Sequence, residues 1–217
     1  MKKLLIFDYD GTLLDSMEDA IICLNKVLEN NNIPKVPKNN INNFEKIFKA
    51  KLEELTEVHN FSEKEMYNFQ KEFSLTYLNH SKNNTKPFPK ITKMLESLQD
   101  NNYLLAINSN KNTDSINYFN KKFFKNIDFK EVRGYKPDKP PKPDPTQVLE
   151  IIKNLEVTKE ESLYIGDSIN DILTAQNAGV DILLVSWGQS SSKDLKNDYP
   201  KKIINEPQEI CEYLNYF

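Results

Sequence analysis

The sequence is poor in the residues that build extracellular scaffolds, nucleic-acid surfaces and membrane spans. Two cysteines in 217 residues are too few for a disulfide framework, and they indicate a reducing compartment. A single arginine, Arg133, and a net charge of -3 give no basic footprint for nucleic acid. No apolar stretch has the length of a membrane span, and the four apolar residues after Lys3 are too few for a signal-peptide core. We therefore expect a cytoplasmic protein that binds neither nucleic acid nor membrane.

Hydrophobic residues make up 38% of the chain, which is enough for a core in one large domain or in a large and a small one. Short apolar runs alternate with helical periodicity in residues 1–15 and 87–217. This alternation predicts an α/β fold with a doubly wound, mostly parallel sheet, and ligands of such sheets bind at the carboxyl ends of the strands. Residues 16–86 show helical spacing without a strand pattern, so they predict an inserted helical domain.

The stretch that follows the first predicted strand carries the strongest chemical signal. The apolar run Leu4–Phe7 is typical of a buried parallel strand, and it is followed by Asp8, Asp10, Gly11 and Thr12. We expect the two carboxylates to lie around one spot, where a bound divalent cation would remove their repulsion. Taken alone, the stretch also fits an ordinary Asp-Gly turn.

Three further polar motifs follow predicted strands or lie in the loops at the same edge. They are Asn108-Ser109-Asn110-Lys111, Lys142-Pro143-Asp144-Pro145 and Gly166-Asp167-Ser168-Ile169-Asn170-Asp171. Asp171 lies one helical turn after Asp167, as a pair of site carboxylates would. Ser168 and Asp171 also fit a capping box, so the same residues have a purely structural interpretation. His59 and His80 lie in the helical insert without a partner pattern, and we expect them to be ordinary helix residues.

With these four motifs in this order, the sequence resembles the haloacid dehalogenase superfamily of phosphohydrolases, and within it the phosphoglycolate phosphatase group. The resemblance covers the chain except for the segment from about Ser16 to Lys86. It includes the Lys-Pro-Asp-Pro-Thr run that begins at Lys142 and the Trp187-Gly188 pair after a late strand. It implies a Rossmann-like core domain and a helical cap domain, at residues 16–86, that closes over the site.

The resemblance also implies a Mg2+-dependent phosphatase that works through an aspartyl-phosphate. Asp8 would be the nucleophile, and Asp10 would protonate the leaving alkoxide and then activate water. A lysine would stabilise the charge on Asp8 and on the transferred phosphoryl group. Three Lys-Pro lysines compete for this role, namely Lys136, Lys139 and Lys142, and only Lys142 matches the family's Lys-Pro-x-Pro pattern.

The remaining implied roles are metal binding and phosphate binding. The Mg2+ ligands would be Asp8, the backbone carbonyl of Asp10, and Asp167, with Asp171 as an outer or water-mediated partner. Phosphate would be bound by Gly11, Thr12, Ser109 and Asn110, through the hydroxyl of Ser109 and the backbone amide of Asn110. Lys111 stays open between a substrate contact and a solvated surface lysine.

We expect the partner to be a small phosphorylated metabolite, with phosphoglycolate as the leading hypothesis, and the protein to be a monomer or homodimer. The predicted cap has no arginine, so recognition of a substrate carboxylate there would need lysine, amide or backbone donors. One alternative is a β-phosphoglucomutase-like sugar phosphomutase, which the missing cap arginine disfavours. Another is a non-enzymatic phospho-switch or binding module, which the presence of Asp10 disfavours.

Overall fold

The computed structural model describes residues 2–37, 44–136 and 138–215. It divides the chain into two compact units. One comprises Met1–Asp15 together with Lys86–Phe217, and the other comprises Ser16–Thr85. Lys86 lies in the first unit. None of the helices formed by the described residues combines the length and the apolar character needed to cross a membrane.

The elements are numbered along the chain. The strands are β1 (Leu4–Phe7), β2 (Leu14–Asp15), β3 (Lys86–Pro87), β4 (Leu104–Asn112), β5 (Phe129–Tyr135), β6 (Ser162–Gly166), β7 (Asp181–Val185) and β8 (Lys202–Ile204). The helices are α1 (Met17–Asn30), α2 (Phe44–Glu57), α3 (Glu63–Asn79), α4 (Ile91–Asp100), α5 (Thr113–Phe123), α6 (Thr146–Asn154), α7 (Ile169–Ala178) and α8 (Gln208–Asn215). A short 3-10 turn spans Asp194–Lys196.

The first unit is built on a parallel sheet with the strand order β5-β4-β1-β6-β7-β8. From β1 the chain adds β4 and β5 on one side, and then returns to add β6, β7 and β8 on the other. The direction of winding therefore reverses at β1, and ligands of open α/β sheets bind at such a reversal point. This arrangement confirms the predicted doubly wound, mostly parallel α/β fold.

The four residues of β1 are fully buried, because helices cover both faces of the sheet. Leu5 and Phe7 belong to a core that includes residues of α4, α5 and α8. Leu4 and Ile6 belong to a second core on the opposite face, with residues of α6 and α7. Since side chains alternate along a strand, the residue after Phe7 continues the Leu4 and Ile6 side, towards α6 and α7.

The register of the central strands brings the predicted motifs to one level. Phe7 at the end of β1 pairs with Ile107 of β4 on one side and with Ile165 of β6 on the other. The next residues, Asp8, Asn108 and Gly166, therefore lie side by side at the carboxyl edge of the sheet. The three motifs that follow these strands converge for this reason.

Two features of this unit differ from the sequence-based expectation. The predicted strand ended at Ile107, but β4 continues to Asn112 after a register shift against β5, so Ser109 and Lys111 lie within its irregular extension. β5 likewise extends to Tyr135, where a loop was predicted from Gly134. A Cβ atom on Gly134 would lie 2.6 Å from the carbonyl oxygen of Lys111, so the absence of a side chain permits this close pairing.

The second unit contains α1, α2 and α3 around an apolar core. Its buried residues are Ile21, Leu24, Val27, Leu28, Ile33, Val36, Leu55 and Phe69. α3 begins with the predicted capping box, in which the Ser62 side chain accepts from the amide of Glu65 and the Glu65 carboxylate accepts from the amide of Ser62. Ile41, which belonged to the predicted pattern of α2, lies outside the described residues.

A buried carboxylate joins the two ends of this second unit. Asp19 in the first turn of α1 accepts hydrogen bonds from the Thr85 amide (2.7 Å) and hydroxyl (2.6 Å) and from the Asn84 side chain (3.0 Å). The Nε2 atom of His80 lies 3.0 Å from Asp19 Oδ1. His80 caps the end of α3 rather than lying within a helix, and it has a partner that the sequence did not reveal. Burial opposes ionisation of Asp19, but these hydrogen bonds outweigh it and lower the pKa of Asp19.

Candidate active site

Asp8 is the first residue after β1 and its side chain is buried. Its amide donates to the carbonyl of Ile165 (2.9 Å), which ties the start of the loop to the neighbouring strand β6. Oδ1 of Asp8 lies 2.8 Å from Nζ of Lys142. Apart from this ion pair, no described donor contacts Oδ1. Asp8 thus has a fixed backbone and a carboxylate oxygen whose one described partner is the Lys142 ammonium.

Asp8, Asp167 and Asp171 form a buried acidic cluster. One carboxylate oxygen from each lies within 4.8 Å of the others. Burial raises the pKa of Asp8 to about 7, with Lys142 opposing the shift and Asp171 adding to it. Burial and the neighbouring Asp171 and Asp8 hold the pKa of Asp167 well above its usual range. A hard divalent cation would offset this cost, and an all-oxygen donor set suits Mg2+, so the residues present fit that ion.

Asp167 is held by the loop after Asp10 and by the segment after β7. Oδ1 accepts from the Thr12 hydroxyl (2.9 Å), and Oδ2 accepts from the backbone amide of Gln189 (2.6 Å). Gly11 has a positive φ of 88°, and a Cβ atom there would collide with the Asp167 carboxylate. A Cβ atom on Gly188 would collide with the Asp167 carboxylate in the same way. Glycine at these two positions lets two backbone segments close around Asp167.

The Asp171 carboxylate is fully engaged with its surroundings. Oδ2 accepts from the amides of Asp167 (3.1 Å) and Ser168 (3.0 Å) and from the Ser168 hydroxyl (2.8 Å), which confirms the predicted capping box of α7. Oδ1 accepts from Nζ of Lys142 (2.6 Å). A Cβ atom on Gly166 would lie 2.5 Å from Asp171, so glycine makes this approach possible. Asp171 orients both the Asp167 loop and Lys142.

Lys142 lies between two carboxylates, with its side chain only 4% exposed. Burial alone would lower the pKa of Lys142, but the adjacent Asp171 and Asp8 raise it well above its usual value, so the ammonium stays charged. The Asn110 side chain fixes the backbone of Lys142, since Oδ1 accepts from the Lys142 amide (2.8 Å) and Nδ2 donates to its carbonyl (3.4 Å). Lys139, a competitor in the sequence, pairs with Glu150 instead.

Asp10 occupies a different environment from Asp8. Its side chain is 27% exposed, and both its carboxylate oxygens contact Nζ of Lys111, at 2.8 and 2.9 Å. The two carboxylates were expected around one spot, but among the described residues Asp10 is not a member of the acidic cluster. Lys111 is buried, so its interpretation as a solvated surface lysine is wrong.

Ser109 and Lys111 share one face of the β4 extension. Both are buried while the intervening Asn110 is exposed, as the alternation of a strand requires. The Ser109 hydroxyl oxygen accepts from the amide of Lys111 (3.3 Å). This segment therefore supplies the Ser109 hydroxyl, the Asn110 side-chain amide that fixes the backbone of Lys142, and the Lys111 ammonium that contacts Asp10.

Sequence reasoning missed three further contributors. The Tyr164 hydroxyl lies 3.1 Å from Oδ1 of Asn108 and 3.3 Å from Oδ1 of Asp171, but a tyrosine in a buried strand has the pattern of ordinary core. Gln189 acts through its backbone amide, which any residue offers. Trp187 donates from Nε1 to the Thr12 carbonyl (3.1 Å), and the Trp-Gly pair was its only signal in the sequence.

The architecture is shared with known proteins. Residues 5–185 match the model of the haloacid dehalogenase-like hydrolase family. The chain belongs to this family. It is an enzyme of the phosphatase kind, as its resemblance to phosphoglycolate phosphatases within the family indicated.

Individual relatives cover almost the whole chain. A phosphoglycolate phosphatase of Psychrobacter arcticus is 28% identical over 98% of this chain and 96% of its own length. A phosphoglycolate phosphatase of Aquifex aeolicus is 27% identical, over 98% and 97%. The crystal structure of a predicted phosphoglycolate phosphatase from Haemophilus somnus superimposes with a TM-score of 0.84 and 25% identity, over 98% of each chain.

Proposed function

We propose that this protein hydrolyses a phosphomonoester in a Mg2+-dependent reaction through an aspartyl-phosphate on Asp8. The observation that carries the proposal is the environment of the Asp8 carboxylate. It is buried, and its Oδ1 atom lies 2.8 Å from the Lys142 ammonium and has no other described donor. Such an oxygen is available as a nucleophile, and a fixed cation beside it favours the charge that develops on a transferred phosphoryl group.

In the first half-reaction an Asp8 carboxylate oxygen attacks phosphorus as the bond to the ester oxygen breaks. The leaving alkoxide takes a proton from Asp10 and departs as the alcohol. Lys142 stays charged throughout and stabilises the equatorial phosphoryl oxygens. Asp171 and Asn110 keep Lys142 at this position, because one accepts from its ammonium and the other brackets its peptide group.

In the second half-reaction Asp10 takes a proton from a water molecule, which attacks the phosphorus of the aspartyl-phosphate. The bond between phosphorus and the Asp8 oxygen breaks, and inorganic phosphate leaves. Asp8 is regenerated as a carboxylate and Asp10 again carries its proton. The net change is one water consumed for one alcohol and one phosphate released.

Mg2+ would be held by Asp8, Asp167 and the backbone carbonyl of Asp10. When bound, it neutralises charge on the phosphoryl oxygens and on the cluster. Thr12 and Gln189 orient Asp167 by donating to its two oxygens. Phosphate oxygens would be bound by the Ser109 hydroxyl and by backbone amides around Gly11 and Asn110.

We propose phosphoglycolate as the substrate, because it is what the named relatives act on. The substrate test is steady-state phosphate release from phosphoglycolate, glucose 1-phosphate, a nucleoside monophosphate and p-nitrophenyl phosphate, with and without Mg2+. Metal-dependent turnover that disappears in Asp8→Asn supports the chemistry. A kcat/KM for phosphoglycolate at least about tenfold above the other substrates supports the substrate assignment.

The two parts of the proposal fail separately. Equal hydrolysis of all four compounds would overturn phosphoglycolate and leave the chemistry intact. Turnover that survives in Asp8→Asn would overturn the nucleophile. Asp181→Asn is the matched control, since Asp181 begins β7, at the other end of the sheet, and should retain full turnover.

A further inference from the structure

Lys111 is a buried cation that the proposed mechanism does not use. Its side chain is 3% exposed, and its Nζ atom contacts both oxygens of Asp10, at 2.8 and 2.9 Å. The same ammonium lies 5.3 Å from the centre of the Phe119 ring. Removing a lysine ammonium from water is costly, so burial at this point needs the compensation that the carboxylate and the aromatic face provide.

The lysine is the fixed member of this pair. Its backbone lies in the β4 extension, where its amide donates to the Ser109 hydroxyl oxygen and its carbonyl is packed against Gly134 of β5. Asp10, by contrast, lies in the loop after β1 and its side chain is 27% exposed. The strand extension therefore holds a donor against a carboxylate that emerges from a loop, and this contact defines where the carboxylate lies.

We propose that Lys111 is the positioning residue for Asp10 and that it directs the acid proton of Asp10 towards the leaving group. A lysine ammonium has three donors and no acceptor. When Asp10 carries its proton, Nζ can keep its bond to one oxygen but cannot accept the proton on the other. The ammonium therefore orients the carboxyl group so that its O–H can donate to the alkoxide oxygen. This role rests on the proposed function, because it needs Asp10 as the general acid.

This role differs in its consequences from a direct phosphate contact. A phosphate contact would stabilise the phosphoryl group of every substrate alike. A positioning role matters only where the leaving group needs a proton. Alkyl alkoxides need one, whereas p-nitrophenolate is stable enough to depart without one. In addition, a residue that acts through Asp10 has nothing left to position once the Asp10 carboxyl has been removed.

The test measures kcat/KM for an alkyl phosphate and for p-nitrophenyl phosphate in the wild type and in three variants: Lys111→Met, Asp10→Asn and the double variant. kcat/KM reports steps up to departure of the leaving group. We expect Lys111→Met to lose on the order of 10²-fold on the alkyl phosphate and no more than about threefold on p-nitrophenyl phosphate. In the Asp10→Asn background, Lys111→Met should cause no further loss on the alkyl phosphate.

The control is Lys2→Met. Lys2 lies at the amino end of the sheet, and its side chain is 13% exposed. Its ammonium pairs with the carboxylate of Asp181 at 2.7 Å. This variant should change both substrates by the same small factor. Lys111→Arg keeps the charge and should recover part of the loss on the alkyl phosphate, and it serves as the test if the methionine variant does not fold.

Three results would overturn the positioning role. The first is an equal loss on both substrates in Lys111→Met, and the second is an additive loss in the double variant. The third is a gain in activity on the alkyl phosphate. Failure of the proposed function itself would be recognised independently, because Asp8→Asn would then retain turnover of p-nitrophenyl phosphate.

Discussion

Nζ of Lys142 lies 2.8 Å from Oδ1 of Asp8 and 2.6 Å from Oδ1 of Asp171. A single buried ammonium thus contacts two buried carboxylates that differ in their other hydrogen-bond partners. Both oxygens of Asp171 accept hydrogen bonds, and Asp171 fixes the lysine, while Oδ1 of Asp8 has no described partner besides the lysine. This arrangement agrees with the proposed roles, in which Asp171 holds the cation and Asp8 attacks phosphorus.

Replacement of Lys142 by methionine should affect activity and stability together. Phosphoryl charge would lose its fixed cation, so we expect kcat to fall by about 10²- to 10³-fold. Two buried carboxylates would lose their partner, which should lower the free energy of unfolding by about 3–5 kcal/mol. Steady-state kinetics and denaturant unfolding measure the two effects.

The matched control for this variant is Lys139→Met, because Lys139 belongs to a neighbouring Lys-Pro pair but contacts the partly exposed Glu150. Its activity should stay within about twofold of the wild type, as a partly exposed pair contributes about 0–1 kcal/mol. Comparable losses in the two variants would contradict the role given to Lys142.

Addition of Mg2+ should stabilise the folded protein through the acidic cluster. At a free concentration about 100 times its dissociation constant, a ligand that binds only the folded state contributes about 2.7 kcal/mol. Thermal unfolding with and without Mg2+ measures this stabilisation. Asp167→Asn should abolish it while Asp181→Asn preserves it. A shift that persists unchanged in Asp167→Asn would show that the ion binds elsewhere.

Asp19 should stabilise the helical unit in a pH-dependent way. Its pKa is lowered in the folded state, because hydrogen bonds from Thr85, His80 and Asn84 outweigh the effect of burial. The stabilisation is therefore fully present above the unfolded-state pKa of about 4 and is lost as the pH falls through the lower folded-state value. Asp19→Asn should cost about 2–3 kcal/mol at pH 7, as expected for hydrogen bonds to a charged group.

Denaturant unfolding of the wild type and Asp19→Asn between pH 7 and pH 3 tests this prediction. The difference between the two proteins should shrink as the pH falls below about 4, because the carboxyl is then protonated in the unfolded wild type before it is protonated in the folded state. Glu72→Gln is a suitable control, since Glu72 accepts from Asn30 and Asn31 at a more exposed position in the same unit. A gap between wild type and Asp19→Asn that does not change with pH would contradict the prediction.

The main strands and the position of Asp8 could be predicted because their signals are local. Leu4–Phe7 is a continuous apolar run, and the residue after a central parallel strand must emerge at the ligand-binding edge. Lys142 could be selected among three lysines because a spacing rule distinguishes it. Its ion pair with Asp8 agrees with that choice, although its catalytic role remains a proposal.

The partner of Asp10 and the side-chain contacts of Asn110 with Lys142 could not be predicted, because they depend on how distant segments meet. Lys111 is separated from Asp10 by 101 residues, and Asn110 from Lys142 by 32. The extension of β4 to Asn112 decides which side chains turn inward, and its polar residues carry no apolar period from which a strand could be inferred. For this reason the sequence leaves Lys111 open between a substrate contact and a solvated surface lysine.

The aspartyl-phosphate on Asp8 is the central claim, and chemical trapping tests it most directly. The enzyme is quenched during turnover of p-nitrophenyl phosphate with Mg2+ and treated with borohydride, which reduces an acyl phosphate to the alcohol. Peptide mass spectrometry then locates the modified residue. The account predicts homoserine in place of Asp8, and only when substrate is present. Turnover with an unmodified Asp8, or homoserine at Asp10 or Asp167 instead, would contradict it.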